Sequence, residues 1–494
     1  MAPLDSVRGG FRCAAVRSHS YRQRRAVLCR IVRTLAAQHD GRLASGTPEN
    51  EGTLRRSSSP HPIGGPSPER GKGLSPSDCA SGGTRSGQRR QYVLSPTHSH
   101  RSDGGAGRDR RGHRRYPGTD PLARGSPILQ RTEGTEFVRI VVAGYYGCGN
   151  VGDDALLAGL QVGLGNLPVK LTALSGNPDE TFRYLGITSV PRRDFARVKQ
   201  ELEGADALVF AGGGLLQDVT SLFSLQYYAK LISLAKKLDK KVVMLAQGIG
   251  PVNSFFGKRT AAAALRQVDV ITVRDPQSLQ TMRSLGVNRP AEVTADLAWL
   301  AMPEESPEAQ FELGSMKTVG IAPRPWGKPK DLAAAFGGFA QLLFKNSYVP
   351  MLVEMDRTLD TAILDQIAKL HGGRAPDIRN IHAPAQMLAR LKRMHCVVAM
   401  RLHAGILAAS AGVPPMMISY DPKVTAFANL LGLPNPLPAD GLTPEKLWDA
   451  FQRFERDREA IKATILDRRE AQIKAAKRNI DILIESFPAL AGKN

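Results

Sequence analysis

Three arginines and one histidine stand directly after short apolar runs. Arg274 follows "VDVITV", Arg324 follows "TVGIAP", and Arg401 follows "CVVAM" with His403 two residues on. An arginine fork matches the geometry of phosphate and carboxylate groups. A histidine beside such forks can carry a proton near neutral pH. The set suits a small ligand with more than one negative charge. Each member also has an ordinary reading: Arg274 could pair with Asp275 or Asp296, and His403 could cap the helix "AGILAASAG".

Polar groups of a second kind sit in glycine-rich turns. "GCGNVG" (147–152) follows "VRIVVAG" and has the form G-x-G-x-x-G. A dinucleotide site on this pattern needs an acidic residue about twenty positions on, at the end of the second strand, to hold the ribose. Here the second strand is "VKLTALSGN", which ends in Ser and Asn. Asp153 and Asp154 instead follow the last glycine, at a helix N-terminus where a pyrophosphate would lie and where acids would repel it. Asn150, Asp153 and Asp154 therefore suit either a capped turn or a wall facing hydroxyl groups. "AGGGLLQDVTS" (211–221) supplies Gln217 and Asp218, and "AQGIGPV" (246–252) supplies Gln247. Three such turns at one sheet edge would line a site for a neutral, hydroxyl-rich ligand such as a sugar.

The elements that must hold these turns are legible from residue 137 onward. "VRIVVAG", "ALVFAGG", "KVVMLAQG" and "VDVITVR" read as buried strands, separated by "DALLAGLQVGL", "LFSLQYYAKLISLAKKL" and "KRTAAAALRQ" as helices. Such alternation implies βαβ units and a parallel sheet. The rhythm breaks at "AMPEESPEAQFELGSMK" (301–317) and resumes with "TVGIAPRP", "YVPMLVEM", "HCVVAMR" and "PPMMISY" as further strands. The expected fold is α/β: two Rossmann-like parallel-sheet halves, 137–305 and 306–494, facing across a cleft in the GT-B-like manner. A long charged helix at about 443–485 closes the chain. Ligands of such sheets bind beyond the C-terminal strand ends.

Residues 1–136 read differently. They hold 24 Lys+Arg, only one of them lysine (Lys72), against 11 Asp+Glu, which is +13 of the net +21. Rich in Ser, Gly, Pro and Arg, this stretch buries too little apolar surface to offset its chain entropy, so a disordered extension is expected. One reading is a nucleic-acid-binding or targeting arm. The favoured one is translation upstream of a misplaced start, since a lopsided Arg-for-Lys bias is what a GC-rich non-coding stretch yields. The Met after Met1 is Met244, inside the fold. Of five cysteines, Cys148 and Cys396 belong to the folded part; no CxxC or Cys/His metal spacing occurs, so neither a disulfide framework nor a metal site is expected. No apolar run has the length of a membrane span.

Taken together, "GYYGCGNVGDDALL", "AGGGLLQD", "AQGIGPV", "TVRDPQS" and above all "MRLHAGILAASAGVPPMMISYDPKVTAF" resemble the CsaB-type polysaccharide pyruvyl transferases over about 138–435. The resemblance implies a GT-B-like fold and transfer of a pyruvyl group from phosphoenolpyruvate to two hydroxyls of a cell-envelope polysaccharide sugar, releasing phosphate. Such ketals help anchor S-layer proteins. It carries over Arg401 and His403 as donor-site residues. From this follow the expected roles: His403 and Asp153 catalytic; Arg401, Arg274 and Arg324 donor-binding; Asn150, Asp154, Gln217, Asp218 and Gln247 acceptor-binding. No metal and no cofactor beyond the donor substrate is expected, and no nucleic acid. The acceptor would be a polysaccharide or lipid-linked sugar, met in the cytoplasm, with a peripheral contact at the inner face of the membrane. The rival reading is a nucleotide-sugar glycosyltransferase or epimerase on the same layout, with Glu354 as its nearest ribose-binding candidate.

Overall fold

Seven short segments rich in Val, Leu, Ile and Ala form one all-parallel sheet: β1 (Val138–Ala143), β2 (Val169–Ser175), β3 (Thr188–Pro191), β4 (Ala207–Ala211), β5 (Lys241–Gln247), β6 (Val270–Val273) and β7 (Glu292–Val293). Their order is β3-β2-β1-β4-β5-β6-β7. Strand β4 is buried at every position and β1 at all but Arg139, as expected of a sheet covered on both faces. The covering helices are α1 (Val151–Leu164), α2 (Pro178–Leu185), α3 (Phe195–Glu203), α4 (Leu222–Lys237), α5 (Phe255–Gln267) and α6 (Pro276–Ser284). The structure, a computed structural model, describes residues 137–219, 222–305, 317–372 and 381–490. The expectation for residues 1–136 and most of the break at 301–317 lie outside the described residues.

A second parallel sheet follows, ordered β12-β11-β10-β8-β9. It comprises β8 (Lys317–Ala322), β9 (Tyr348–Leu352), β10 (Cys396–Ala399), β11 (Pro415–Ser419) and β12 (Leu437–Pro438). Its helices are α7 (Pro329–Lys345), α8 (Thr361–Leu370), α9 (Pro384–Leu391), α10 (Leu402–Ser410) and α11 (Pro422–Leu430). In both sheets the chain reverses its direction of travel at one seam, between β1 and β4 and between β10 and β8. Crevices form at such seams.

The final helix, α12 (Pro444–Glu485), has 42 residues and is about 63 Å long. Its first turns dock on α7 of the second half, where Phe451 meets Phe339 edge-on at 5.7 Å between ring centroids, both fully buried. Each such ring is worth roughly 1.5–3 kcal/mol of burial. Its last turns reach the first sheet. There Asn479, fully buried, accepts from the hydroxyls of Thr272 (2.5 Å) and Thr294 (2.8 Å) and donates to the Ala295 carbonyl (3.0 Å). One helix thus ties both sheets. No helix among the described residues is long and apolar enough to cross a membrane.

Candidate active site

The glycine-rich turn after β1 meets the second half directly. Gly149 and Val151 exchange backbone hydrogen bonds with the loop after β9: Arg357 N donates to Gly149 O, and Val151 N donates to Met355 O, both at 2.9 Å. Arg357 then forks onto Glu180 of α2 at 2.9 and 2.5 Å. Gly149 has φ +86 and lies against Arg357, so a side chain there would be strained on both counts. One residue into α1, Gly152 lies beneath His403; an added Cβ would stand 2.4 Å from its Cβ and Nδ1. Absence of a side chain at Gly152 is therefore what lets α10 deliver His403 to the first sheet.

There His403 joins groups from three other elements. Its Nε2 stands 3.6 Å from Asp296 Oδ2, beyond hydrogen-bond reach but at ion-pair distance, and is enclosed without a hydrogen-bond partner. Arg274 Nη1 donates to the same Asp296 oxygen at 3.2 Å, and its Nε lies 3.4 Å from Asp275. Burial alone would raise the Asp296 carboxyl, but His403 and Arg274 outweigh it and hold the group down at about 2. Asp153, in the first turn of α1, feels the same neighbours. Its carboxyl is pushed up by burial and by the charges of Asp356 and Asp296, with His403 and Arg274 opposing. A carboxyl whose pKa is raised, close enough to an imidazole to feel its charge, has the elements of a proton-transfer pair.

Arg401 sits deeper than the sequence expectation implied. It forks onto Asp360, with Nε at 3.1 Å from both carboxylate oxygens and Nη2 closer still, and Nη1 is 3.5 Å from Asp356. Burial works against its charge, and Asp360 with Asp356 more than offset it. Arg401 is thus a buried arginine whose charge is balanced by Asp360 and Asp356 and which frames the loop after β9. Arg274 is likewise neutralised by Asp296 and Asp275. Arg324, after β8, has no carboxylate partner among the described residues. It donates to the Tyr420 hydroxyl at 2.7 Å, with its guanidinium 4.8 Å from that ring's centroid.

The acceptor-binding expectations mostly turn inward. Asn150 caps α1, accepting from Gly152 N (3.0 Å) and Asp153 N (3.4 Å). Asp154 closes the turn by accepting from Gly147 N at 2.8 Å, and burial, abetted by Asp153 and Glu180, lifts its carboxyl to about 7. Asp218 fastens the entry to α5, accepting from Asn253 N, Ser254 N and Ser254 Oγ. Gln247 is fully buried and gives Nε2 to the carbonyls of Phe210, Gly212 and Leu245. Asn150 and Asp154 fasten their own turn, as short polar side chains beside unpaired backbone groups do, while Asp218 and Gln247 tie neighbouring strand ends together. Gln217 remains half-buried on the loop after β4. That loop passes Asp153: a Cβ on Gly213 would lie 3.6 Å from Asp153 Oδ1, and one on Gly214 would meet open space.

The residues missed from the sequence are the acids Asp356 and Asp360 and an aromatic pair at the second sheet's edge. Trp326 is 39% exposed, packs against Tyr420 at 5.2 Å between centroids, and donates its indole N–H to Asp440 at 3.3 Å. An exposed aromatic rimmed by polar groups at a strand edge was a readable signal. The acids were not, because "MDRTLD" reads as an ordinary turn. A groove of about 850 Å³ lies at the opposite strand ends, beside Leu164, Leu167, Ser410 and Ala411, away from this cluster. Among the described residues no group of acids, histidines or cysteines is arranged to hold a metal.

Comparison with known proteins gives this geometry a family. The family model of polysaccharide pyruvyl transferases matches residues 150–422. The amylovoran biosynthesis protein AmsJ of Erwinia amylovora is 21% identical over 366 residues, covering 60% of this chain and 87% of its own. The fold resembles a putative UDP-N-acetylglucosamine 2-epimerase from Listeria monocytogenes (TM-score 0.51, 13% identity, 72% of this chain and 97% of that one). It also resembles S. aureus MnaA, solved with UDP (TM-score 0.52, 12% identity, 70% and 95%). These two likenesses establish the GT-B-like layout. The chain belongs to the polysaccharide pyruvyl transferase family, and it is a transferase that moves a pyruvyl group to polysaccharide.

Proposed function

We propose that the donor is phosphoenolpyruvate and that the product is a ketal bridging two hydroxyls of one sugar of a cell-envelope polysaccharide, as in the CsaB-type enzymes whose ketals anchor S-layer proteins. The bonds balance without oxidant, reductant or metal. One hydroxyl oxygen attacks C2, the C3 methylene gains a proton, the C2–O bond to phosphate breaks, and the second hydroxyl closes the ring. Two hydroxyl protons are lost; one ends on C3 and the other leaves with phosphate. Such a reaction needs a group that takes a proton, a group that gives one, and a cation for the donor.

The meeting of His403, Asp296, Asp153 and Arg274 where the two sheets' C-terminal edges touch carries this reading. In the proposal Asp296 orients the His403 imidazole, His403 takes the hydroxyl proton, and Asp153 is the carboxyl that supplies the C3 proton. Arg324 holds the donor, since its charge is free of any described carboxylate, while Arg274 and Arg401 keep the pocket's frame. Gln217, the glycine backbone of the loop after β4, and the Trp326–Tyr420 face receive the acceptor sugar. The acceptor is lipid-linked or polymeric and is met at the cytoplasmic face of the membrane, with no resident cofactor.

The test is phosphate release from phosphoenolpyruvate by the full chain, with and without envelope glycan, in wild type and His403→Ala. Glycan-dependent release that falls about 10²–10⁴-fold in the variant is expected. Unchanged turnover in His403→Ala overturns the role of His403. A folded wild type that releases no phosphate with any glycan, yet turns over a nucleotide sugar, overturns the donor.

A further inference from the structure

An anion is bound best by a cation that nothing else has neutralised. Of the arginines around the strand ends, Arg274, Arg401 and Arg357 each contact carboxylates. Arg192 does not. It follows the last residue of β3, at the same edge as the glycine-rich turn, and its backbone is pinned there: its N–H donates to Ser175 O at 2.9 Å, and its carbonyl accepts from Tyr227 OH at 2.8 Å. Its guanidinium lies among three tyrosine rings, at 5.3 Å from the centroid of Tyr145, 4.8 Å from Tyr227 and 5.7 Å from Tyr228.

Its polar contacts are with neutral groups. Nη1 donates to Cys148 Sγ at 3.2 Å and Nη2 to Tyr228 OH at 3.1 Å, while Nε is enclosed with no hydrogen-bond partner. Burial raises the Cys148 thiol and both the Tyr227 and Tyr228 phenols above their ordinary values, so none of them supplies a counter-charge near neutral pH. A half-buried guanidinium without a counterion is costly, and stacking on rings recovers only part of that cost. A guanidinium has five N–H donors, more than the neutral partners here use. The cage is fixed on neighbouring turns: Tyr145 and Cys148 belong to the turn that leads into α1 and Asp153, and Tyr145 is 39% exposed. Strand β3 stands two strands from β1, so the guanidinium's base is about 10 Å from the start of that turn.

We infer that Arg192, set in the Tyr145–Tyr227–Tyr228 cage against Cys148, binds a phosphate group of a substrate on the first-sheet side of the site. The chemistry is that of a phosphate mono- or diester. Two sources carry it: the phosphate of the donor, or a phosphate linking the acceptor sugar to its carrier. The identity of these substrates rests on the proposed function; the binding of phosphate itself does not.

The test uses the full chain as wild type, Arg192→Gln and Arg192→Lys. Gln keeps a flat polar tip for the cage without charge, and Lys keeps charge without the fork. Isothermal titration with inorganic phosphate should show affinity falling about tenfold or more in Arg192→Gln, with partial recovery in Arg192→Lys. Kinetics then separate the sources. A KM raised about tenfold for phosphoenolpyruvate alone assigns the site to the donor. The same rise only for a phosphate-linked acceptor, and not for a phosphate-free glycan, assigns it to the carrier. An Arg192→Gln protein that folds with unchanged phosphate affinity and unchanged KM values overturns the inference, as does a loss confined to thermal stability. If wild type binds phosphate through Arg192 but never turns over phosphoenolpyruvate, the donor proposal fails and this one stands.

Discussion

Gly152→Ala is the sharpest probe of how the two sheets assemble the site. Gly152 lies in the first turn of α1, with no positive φ, so its backbone accepts an alanine. Helix propensity alone would favour the change by about 1 kcal/mol. Against this, the new methyl would stand 2.4 Å from His403 Cβ and Nδ1 and 2.5 Å from Cγ. Ordinary carbon contacts begin near ~3.5 Å, so the overlap is about 1 Å. Overpacking of that kind costs roughly 1–3 kcal/mol. The two terms nearly cancel, leaving a net loss of about 0–2 kcal/mol and a folded protein. Function has no such compensation. His403 must shift by about 1 Å in a site where it meets Asp296 at 3.6 Å, and a displacement of that size can cost ~10²-fold in rate. The assay pairs thermal unfolding with the initial rate of glycan-dependent phosphate release. A variant at least as stable as wild type and within about threefold of its rate would refute the reasoning, because the imidazole would then not be held where the chemistry happens.

Two further outcomes test the frame around the cluster. Asp360→Ala leaves Arg401, whose side chain is 8% exposed, without its main counter-charge, and urea unfolding should show a loss of about 3–5 kcal/mol; a loss below about 1 kcal/mol would mean that Arg401 is not held by this pair. Asp154 has its folded pKa raised, to about 7. Its contribution to stability is therefore full at pH values below the ordinary carboxylate range and drains away as pH rises towards 7, because the unfolded chain releases the proton first. Asp154→Asn keeps an acceptor for Gly147 N and removes this dependence, so the variant should be more stable than wild type at pH 8 by about 2–4 kcal/mol and show no such advantage at pH 4. Parallel stability curves from pH 4 to 8 would refute the assignment.

How much of this was legible in the residues follows from what local pattern can encode. The parallel strands announce themselves because both faces are buried and their runs are uniformly apolar, as in "ALVFA" and "CVVA". The histidine and arginines after those strands fall at the sheet edges for the same reason. What the sequence does not reveal is which partner each side chain takes. Arg401 and Asp360 are 41 positions apart, and nothing near either one signals that they will neutralise each other. Asn150, Asp218 and Gln247 look like ligand-binding groups from their turns, yet unpaired backbone N–H and C=O groups nearby claim them first. Arg192 is silent in the sequence for the converse reason: what sets it apart is a ring of tyrosines with no carboxylate among the described residues, which only three-dimensional neighbours disclose.

The long final helix has a consequence for how the site is inherited. Asn479 lies near its far end and fixes the Ala295 carbonyl, one residue before the Asp296 that binds Arg274 and faces His403 at 3.6 Å. The helix begins on the other sheet. It therefore acts as a gauge rod, cut to a fixed number of turns, that sets the spacing between the structure that supplies the imidazole and the structure that supplies its carboxylate. Since each residue turns a helix by about 100°, whole-residue changes in the rod's length swing Asn479 away from Thr272 and Thr294 rather than merely shifting it. Loops around such a site can vary in length at little cost, while the count of residues between the rod's two docking points is locked to the chemistry at the seam.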